Sequence, residues 1–305
     1  MMNERKDELR LRMAAWRRRV CDRISAMWRS FAGFATKRKT TLFALIMLGI
    51  LLFLAVAGTA ISPFDPNGLN LAARLQGPNR THLLGTDHFG RDILSRALAG
   101  TRITLLLGLA IAAFSLVVGL PIGMLSGFYD TFGLVVMRLV DAIMAFPAII
   151  LALALMAIFG KPGVFNVILA VGMVWAPRMV RVVYSSTLSL RENTYVEAAR
   201  ALGVSPMRIL LRHITINLIS PVIVQATFTF AFSVMDVAAL NFLGVGIPPY
   251  LPSWGGMMNE GRTYILRAPW IIVFPGVFLA LSVLSVNLLG DALRDRLDPK
   301  LRRIM

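Results

Sequence analysis

Two long apolar spans of this chain are separated by the polar segment Glu197-Ala-Ala-Arg-Ala-Leu-Gly203-Val-Ser205-Pro206-Met-Arg-Ile-Leu-Leu-Arg-His213. Its alanines favour a helix, and Gly203 can take the left-handed conformation that ends one. Ser205 and Pro206 are then a preferred N-cap and first residue for another helix. The pattern predicts helix, break and helix, a short rigid element at a membrane surface that is suited to docking. An ordinary amphipathic connector is the alternative for the alanine-rich part alone.

Composition places the rest of the chain in a membrane. Hydrophobic residues make up 57% of the 305 positions, and the mean hydropathy is +0.70, which is not typical of soluble globular domains. The net charge is +16, but 12 of the 32 Lys and Arg residues lie in the first 41 positions. The other basic residues cluster in short polar segments between apolar spans, and the chain contains no base-reading module, so nucleic acid is excluded as a partner. The single cysteine, Cys21, excludes an intrachain disulfide.

The apolar stretches predict an all-α integral membrane protein with six transmembrane helices. Residues 1–41 form a basic segment that can be read as an amphipathic helix. A twin-arginine or secretory signal is the alternative, but residues 42–61 contain no charge and no strong cleavage-site pattern, and more apolar spans follow. The six spans are predicted at residues 42–61, 103–127, 132–159, 164–185, 214–243 and 271–290. The predicted organisation is a basic segment 1–41, a first helix 42–61, an outer segment 62–100, a five-helix core 101–290 that contains the polar loop 190–213, and a tail 291–305.

Charge predicts the orientation of these spans. When the polar segments are assigned alternately to two sides, the side with both termini and the loop 190–213 holds 24 Lys and Arg residues. The other side holds 8. The positive-inside rule therefore predicts that both termini and the loop 190–213 are cytoplasmic.

The outer segment contains turn chemistry followed by a helical pattern. Ser62-Pro-Phe-Asp-Pro-Asn67 is typical of turns. The apolar spacing of Ile93, Leu94, Ala97 and Leu98 then predicts a helix lying along the membrane interface.

The same segment offers two apparent chemical sites, and neither is convincing. Gly85-Thr-Asp-His-Phe-Gly90-Arg91-Asp92 lacks the Lys and Ser or Thr that end a phosphate-binding loop. The spacing of His82, Asp87 and His88 fixes no metal geometry, and local hydrogen bonding accounts for them better. We therefore predict no catalytic residue, no metal site and no cofactor bound by this chain.

Charged residues within the apolar spans are costly, so they usually face a helix bundle or a wet path. Arg138 and Asp141 are three residues apart, which favours an ion pair within the helix or a tether between helices over contact with a solute. For Asp236, lining a pore and pairing for structure are equally open interpretations. These three residues are the pore or gating candidates. Arg178 and Arg181 lie near a span end, where snorkelling to lipid headgroups would explain them.

Several motifs together resemble the inner-membrane permeases of ABC importers, specifically the C-type subunit of the dipeptide, oligopeptide and nickel group. The resemblance covers residues from about 40 to 303. Besides the loop 190–213, it is carried by Leu84-Gly-Thr-Asp87, Gly90-Arg-Asp92, Leu94-Ser-Arg96, Ala238-Ala-Leu-Asn-Phe-Leu-Gly244-Val-Gly246, Pro252-Ser-Trp-Gly255 and Asn287-Leu-Leu-Gly290-Asp291. The chain departs from the family at Ile214-Thr-Ile-Asn217, where Leu-Pro-Asn is usual, and at Asn241, where Ser or Gly is usual.

The resemblance implies a type I importer permease fold in the bacterial inner membrane, forming half of a pore for di- or oligopeptides or a similar small solute. Its partners would be a second homologous permease, two cytoplasmic ATPases that use ATP, and an extracytoplasmic substrate-binding protein. The loop 190–213 would seat in a groove of an ATPase. The residues implied in that coupling are Glu197, Ala198, Ala199, Gly203, Ser205, Pro206, Arg212 and His213.

Two other function classes fit less well. An ion-coupled secondary transporter would show discontinuous helices and paired charges at the membrane midplane, and this chain shows few such charges and no clear repeat. An intramembrane enzyme would need a nucleophile with a base, or metal ligands, inside the spans. All three histidines lie outside the apolar cores of the spans, which disfavours that class.

Overall fold

The computed structural model describes residues 39–297, which form helices and contain no β-strand. The longest connection is residues 58–92, between the first two helices. Short 3₁₀ turns occur at Leu71–Ala73 and Arg262–Tyr264, and a π-helical turn at Leu210–Ile214. The helices are α1 (Lys39–Ala57), α2 (Ile93–Phe128), α3 (Asp130–Met144), α4 (Ala148–Phe159), α5 (Val164–Arg191), α6 (Thr194–Ala201), α7 (Pro206–Ile209), α8 (Thr215–Phe242), α9 (Trp254–Gly261) and α10 (Trp270–Leu297).

Five helical stretches are long and apolar enough to cross a membrane: α1, α2, α5, α10 and the continuous stretch Pro206–Phe242. The pair α3 and α4 meets the same criteria only together, and its two helices are bent by 93°. The six spans predicted from the sequence thus correspond to five unbroken helices and one bent pair. The amphipathic helix expected within residues 1–41 lies outside the described residues, apart from residues 39–41, which begin α1.

The predicted span 132–159 is wrong as a single helix. It breaks between Met144 and Ala148, and Pro147 is the residue that precedes the second helix. Proline disfavours a helical conformation for the residue before it and lacks the N–H that would continue the hydrogen-bond ladder. The Pro147 carbonyl instead accepts from Ile150 and Leu151 and begins α4.

The interfacial helix predicted near residue 93 does not form as a separate element. Ile93, Ala97 and Leu98 belong to the first turns of α2, which is 36 residues or about 54 Å long. An interfacial helix would leave one face to lipid, whereas these side chains are buried. Ile93 and Ala97 pack against residues of α9 and of the start of α10, including Met257 and Ile271. The covering elements come from the far end of the sequence, which is why the local pattern could not reveal them.

At the centre of the bundle, α2 packs closely against α5. A Cβ atom added at Gly119, Gly123 or Gly127 would lie only 2.6–2.7 Å from atoms of α5. These glycines are four residues apart, so they share one face of α2 and let the two backbones approach. This close contact joins α2 to α5 at the centre of the bundle.

The two ends of the bundle differ. At one end, residues 58–92 and α9 cover the start of α2, and we call them the loop cap. At the other end, α6 and the stretch 203–214 pack under the end of α2, and we call residues 194–214 the α6–α7 element. Helix α10 continues to Leu297, so residues 291–297 extend a helix and do not begin a separate tail.

Candidate functional site

The α6–α7 element turns sharply at Gly203. The Gly203 N–H donates to the Arg200 carbonyl at 2.9 Å, and the Val204 N–H donates to the Ala199 carbonyl at 3.1 Å. This pair of bonds is the Schellman arrangement, and Gly203 has a φ of 73° as it requires. The left-handed glycine predicted from the sequence is confirmed.

One face of the element is anchored in the core and the other is open. Val196, Ala199 and Ile209 are buried in a cluster that includes Met124 of α2 and Val183 of α5. The opposite face presents an unusual mixture of charged and apolar side chains to solvent. It includes Glu197, Leu202, Met207 and Leu211, of which Leu202 is 83% exposed. The element is therefore held rigidly while its outer face lacks a covering.

The second half of the element corrects the sequence prediction. Ser205 occupies the N-cap position and Pro206 the first helical position, as expected, but the Ser205 side chain makes no capping hydrogen bond. The helix that they begin is not a separate short one. It passes through the π-helical turn, which contains Arg212 and His213, directly into α8. Pro206, Arg212 and His213 therefore lie on one helix that continues into α8, whereas Glu197, Ala198 and Ala199 belong to α6.

Of the predicted charged pair Arg138 and Asp141, only Asp141 forms an ion pair within residues 39–297, and its partner lies on another helix. Asp141 of α3 forms an ion pair with Arg181 of α5. Of the two predicted alternatives, Asp141 therefore forms a tether between helices and no ion pair with Arg138 on its own helix. Arg138 is exposed and makes no ion pair among the described residues. The Arg181 guanidinium thus has a protein partner, Asp141, which the snorkelling interpretation did not include.

Asp236 is linked to α5 through a residue that the sequence analysis did not single out. Its carboxylate accepts from the indole N–H of Trp175 at 2.8 Å. The Arg178 guanidinium lies 3.9 Å from the centre of the same indole ring, and the Phe232 ring stacks on it at 5.4 Å. The spacing of Trp175 and Arg178, one helical turn apart, was the available sequence signal.

Together these contacts form a polar stripe along α5. Trp175, Arg178 and Arg181 follow one another at intervals of three residues, and Asp236 and Asp141 meet them from α8 and α3. A charged group well inside a membrane-spanning helix costs about 2.5–3.5 kcal/mol if it faces lipid. The part of the stripe around Asp236, which accepts from Trp175, is therefore expected to face protein or water.

Residues 119–303 match the family described as binding-protein-dependent transport system inner membrane component. The chain belongs to this family. The di/tripeptide transport system permease protein DppC of Pseudomonas aeruginosa is 39% identical over 92% of this chain and 93% of its own. The dipeptide transport system permease protein DppC of Alkalihalophilus pseudofirmus is 38% identical over 90% of each chain. The glutathione transport system permease protein GsiD of Pectobacterium atrosepticum is 38% identical over 92% and 93%.

The fold of this permease is also similar to a solved structure described as inward facing conformations of the MetNI methionine ABC transporter. The TM-score is 0.55, the identity 22%, and the match covers 67% of this chain and 96% of that one. The permease is therefore a multi-pass membrane protein with the fold of an ABC importer subunit. Its named relatives are transport subunits and not enzymes, and none of them is an ion-coupled carrier.

Where the loop cap of the permease meets the start of α2, four charged side chains form one network. The Asp87 carboxylate accepts from Arg91 Nε at 2.6 Å and lies 3.8 Å from Arg96 Nε. Both arginines donate to Glu260 of α9, at 2.6 and 3.2 Å. The four side chains are between 1% and 19% exposed. The network joins the start of α2 to α9, which follows it by more than 160 residues.

The structure explains why the segment 85–92 cannot serve as a phosphate-binding loop. Asp92 caps α2 by accepting from the Ser95 N–H at 2.8 Å, so a carboxylate occupies the helix N-terminus where a phosphate would bind. His82 Nδ1 lies 2.9 Å from Asp92, which confirms the local hydrogen bonding predicted for it. Gly90 has a φ of 75°, and a Cβ atom there would lie 1.7 Å from the Asn70 carbonyl oxygen. The loop is therefore filled by its own chain.

The metal interpretation is also disfavoured by the geometry. Ligand atoms of Asp87, His88 and Glu260 do lie within 4.8 Å of one another. The oxygens of both carboxylates, however, already accept hydrogen bonds from Arg91 and Arg96, whose positive charges oppose a cation. Burial lowers the pKa of His88, although Asp87 and Glu260 oppose the shift. The cluster is neutralised by arginine.

Proposed function

We propose that this permease is one of two related membrane subunits of an ATP-driven importer for di- or oligopeptides in a bacterial inner membrane. The α6–α7 element is the observation that carries the proposal, because it is rigidly anchored on one face and uncovered on the other. The peptide substrate is suggested by the names of relatives that match about nine-tenths of the chain. A binding protein would deliver the solute, and this subunit would bind no cofactor itself.

The coupling mechanism follows from how the element is connected. One of two ATPase subunits would cover the face that carries Glu197 and Leu202, and the two ATPases would close on each other when they bind ATP. Because α7 continues through the π-helical turn into α8, a displacement of the element would be transmitted along a membrane-spanning helix. Rigid-body movements of this kind exchange inward-open and outward-open states. The subunit would contribute gating and no covalent chemistry.

The polar stripe supports an assignment of the side that faces the path. A second permease subunit would pack on this side, and the stripe would line the wet space between the two subunits. Asp236 is half-buried and Phe232 beside it is exposed, which fits a surface that is completed by another chain. Asp141 and its partner Arg181 lie nearer the α6–α7 end of α5, where a gate would be.

Orientation can be tested by cysteine labelling in a Cys21→Ser background. Arg80 in the loop cap and Ser205 are both exposed, so burial does not limit labelling at either position. A membrane-impermeant maleimide should modify Arg80→Cys in intact cells and should modify Ser205→Cys only after permeabilisation. Labelling of Ser205→Cys from outside would place the α6–α7 element on the wrong side for cytoplasmic ATPases.

Transport can be tested with a labelled dipeptide in a strain that lacks the gene. Uptake should return with the wild-type gene, should stop when ATP is depleted at constant membrane potential, and should persist when the potential is collapsed with ATP present. The opposite dependence would favour the ion-coupled alternative. Normal dipeptide uptake by a strain that lacks this gene but keeps the neighbouring genes would contradict the proposed substrate class.

A further inference from the structure

An open apolar groove of about 720 Å³ runs between α1, α2, α8 and α10, away from the polar stripe. Its walls are aliphatic and aromatic, and they contain only two polar side chains, Arg102 and Thr227. The Thr227 hydroxyl donates to the Ile223 carbonyl of its own helix at 2.9 Å. Arg102 is exposed and makes no hydrogen bond or ion pair through its side chain within residues 39–297. The groove thus has one unneutralised charge.

Arg102 lies at the end of the groove that is nearer the loop cap. Gly58, just beyond the end of α1, packs against the Leu98 carbonyl, since a Cβ atom on Gly58 would lie 3.1 Å from that oxygen. Arg102 is one helical turn deeper, so its long side chain can reach the membrane boundary. The α2 wall of the groove extends about 15 Å along the helix axis from Arg102 to Ala112. This length is half the thickness of a bilayer's hydrocarbon core, which is about 30 Å. The groove therefore spans one leaflet.

We propose that this groove holds an acyl chain of a phospholipid from the leaflet on the loop-cap side, with Arg102 donating to its phosphate. A phospholipid places an anionic phosphate at the membrane boundary and an apolar chain of leaflet length below it, which matches both the position of Arg102 and the aliphatic walls. A polypeptide helix is a poorer occupant. It would bury Arg102, and the charge of Arg102 would then be unpaired because no carboxylate lines the groove. The proposal depends on the membrane location alone and not on the transported solute.

Native mass spectrometry of the complete importer, extracted from membranes and moved into nanodiscs of phosphatidylcholine and phosphatidylglycerol, can test the site. We expect one retained phospholipid per copy of this subunit. Arg102→Gln should reduce the retained fraction about tenfold, the loss expected for one charge-assisted hydrogen bond. Arg102→Lys should retain most of it. Arg267→Gln is the matched control, because Arg267 is also exposed but does not line the groove.

A second pair of variants tests the groove without touching the charge. Ala226→Phe should displace the chain by filling the groove. Val117→Phe, on the 71% exposed side chain of α2 that is outside the groove, should have no effect. Unchanged lipid retention in both Arg102→Gln and Ala226→Phe would overturn the proposal. So would a photo-crosslinker at Leu109 that captures only residues 1–38 or the second permease subunit, because either result would identify a polypeptide as the occupant.

Discussion

Gly90 and Gly203 have nearly the same backbone conformation, with φ values of 75° and 73°, yet their surroundings are opposite. A side chain at Gly90 in the loop cap would collide with the Asn70 carbonyl, whereas nothing lies within 4 Å of a Cβ atom at Gly203. The charges show the same contrast. Arg96, at the start of α2 beneath the cap, and Glu260 of α9 are only 2% and 19% exposed and form an ion pair. Glu197, by contrast, is exposed and makes no ion pair among the described residues.

The left-handed turns at Gly90 and Gly203 therefore serve different purposes. The loop cap is completed within this chain, so its glycines and charges serve the stability of the fold. The α6–α7 element is packed against the core on one face and exposed on the other. Under the proposed function, the free space at Gly203 and the exposed Leu202 would belong to an interface with an ATPase. Substitutions in the cap should therefore act on folding, and substitutions in the element should act on coupling.

The largest effect is expected for Glu260→Leu in the cap. The substitution leaves Arg91 and Arg96 buried without the carboxylate that accepts from both, and an uncompensated buried charge costs about 3–5 kcal/mol. Membrane abundance and thermal stability of the subunit should fall sharply. Glu192→Leu is the control, since Glu192 forms an ion pair but is 71% exposed, and a surface pair contributes about 0–1 kcal/mol. Equal stability of the two variants would contradict the distinction drawn for the cap.

Gly203→Val should abolish coupling while the fold persists. Because the site is open, the substitution meets no steric clash, and its cost is the left-handed backbone strain of about 1–2 kcal/mol. We expect normal membrane abundance but loss of uptake and of substrate-stimulated ATP hydrolysis in the assembled complex. Gly203→Asn, which tolerates a positive φ, should retain most activity. Wild-type transport by purified Gly203→Val complex would show that this segment is not the coupling element.

Asp236→Leu should impair transport less completely. It removes the carboxylate that accepts from Trp175 and leaves Arg178 on the indole ring without a nearby counter-charge. Assembly with the ATPases should be intact, because Asp236 is far from the α6–α7 element. Asp236→Asn keeps a hydrogen-bond acceptor for Trp175 and tests the charge alone. Full uptake by the leucine variant would reassign Asp236 to a dispensable structural position.

Local patterns predicted what depends on one or two residues. The left-handed Gly203 and the N-cap position of Ser205 follow from backbone preferences, and both are confirmed. Proline was less informative. Pro147 precedes a sharp break, yet Pro121 and Pro177 lie inside continuous helices. Neighbouring helices can satisfy the backbone groups that a proline frees, so the sequence around a proline does not decide whether a span bends.

Contacts between distant segments could not be predicted. Arg96 was visible only as part of a family motif, and its partner Glu260 is 164 residues away. The link between Trp175 and Asp236 joins residues 61 apart on different helices. The charged residues could be singled out because charge is costly in a membrane, but their partners depend on helix packing.

The loop cap also contains one group, His88, whose protonation should change the stability of the fold with pH. The His88 ring in the cap stacks on Tyr264 at 5.2 Å and lies 4.0 Å from the Phe89 ring. Its Nδ1 atom is buried without a hydrogen-bond partner. Burial is the main cause of its lowered pKa, ahead of the opposing effects of Asp87 and Glu260. The folded cap therefore favours neutral His88.

The smallest expected effect is a loss of cap stability in mild acid. Because the pKa of His88 is lowered from its ordinary value of 6.5, the unfolded chain binds more protons than the folded one as pH falls through that value, and the free energy of unfolding decreases. His88→Phe preserves aromatic packing and should flatten the dependence of the unfolding midpoint between about pH 7.5 and 5.5. His213→Phe in the α6–α7 element should leave the slope in place, because His88 is still present. A slope that survives in the His88→Phe protein would assign it to another group.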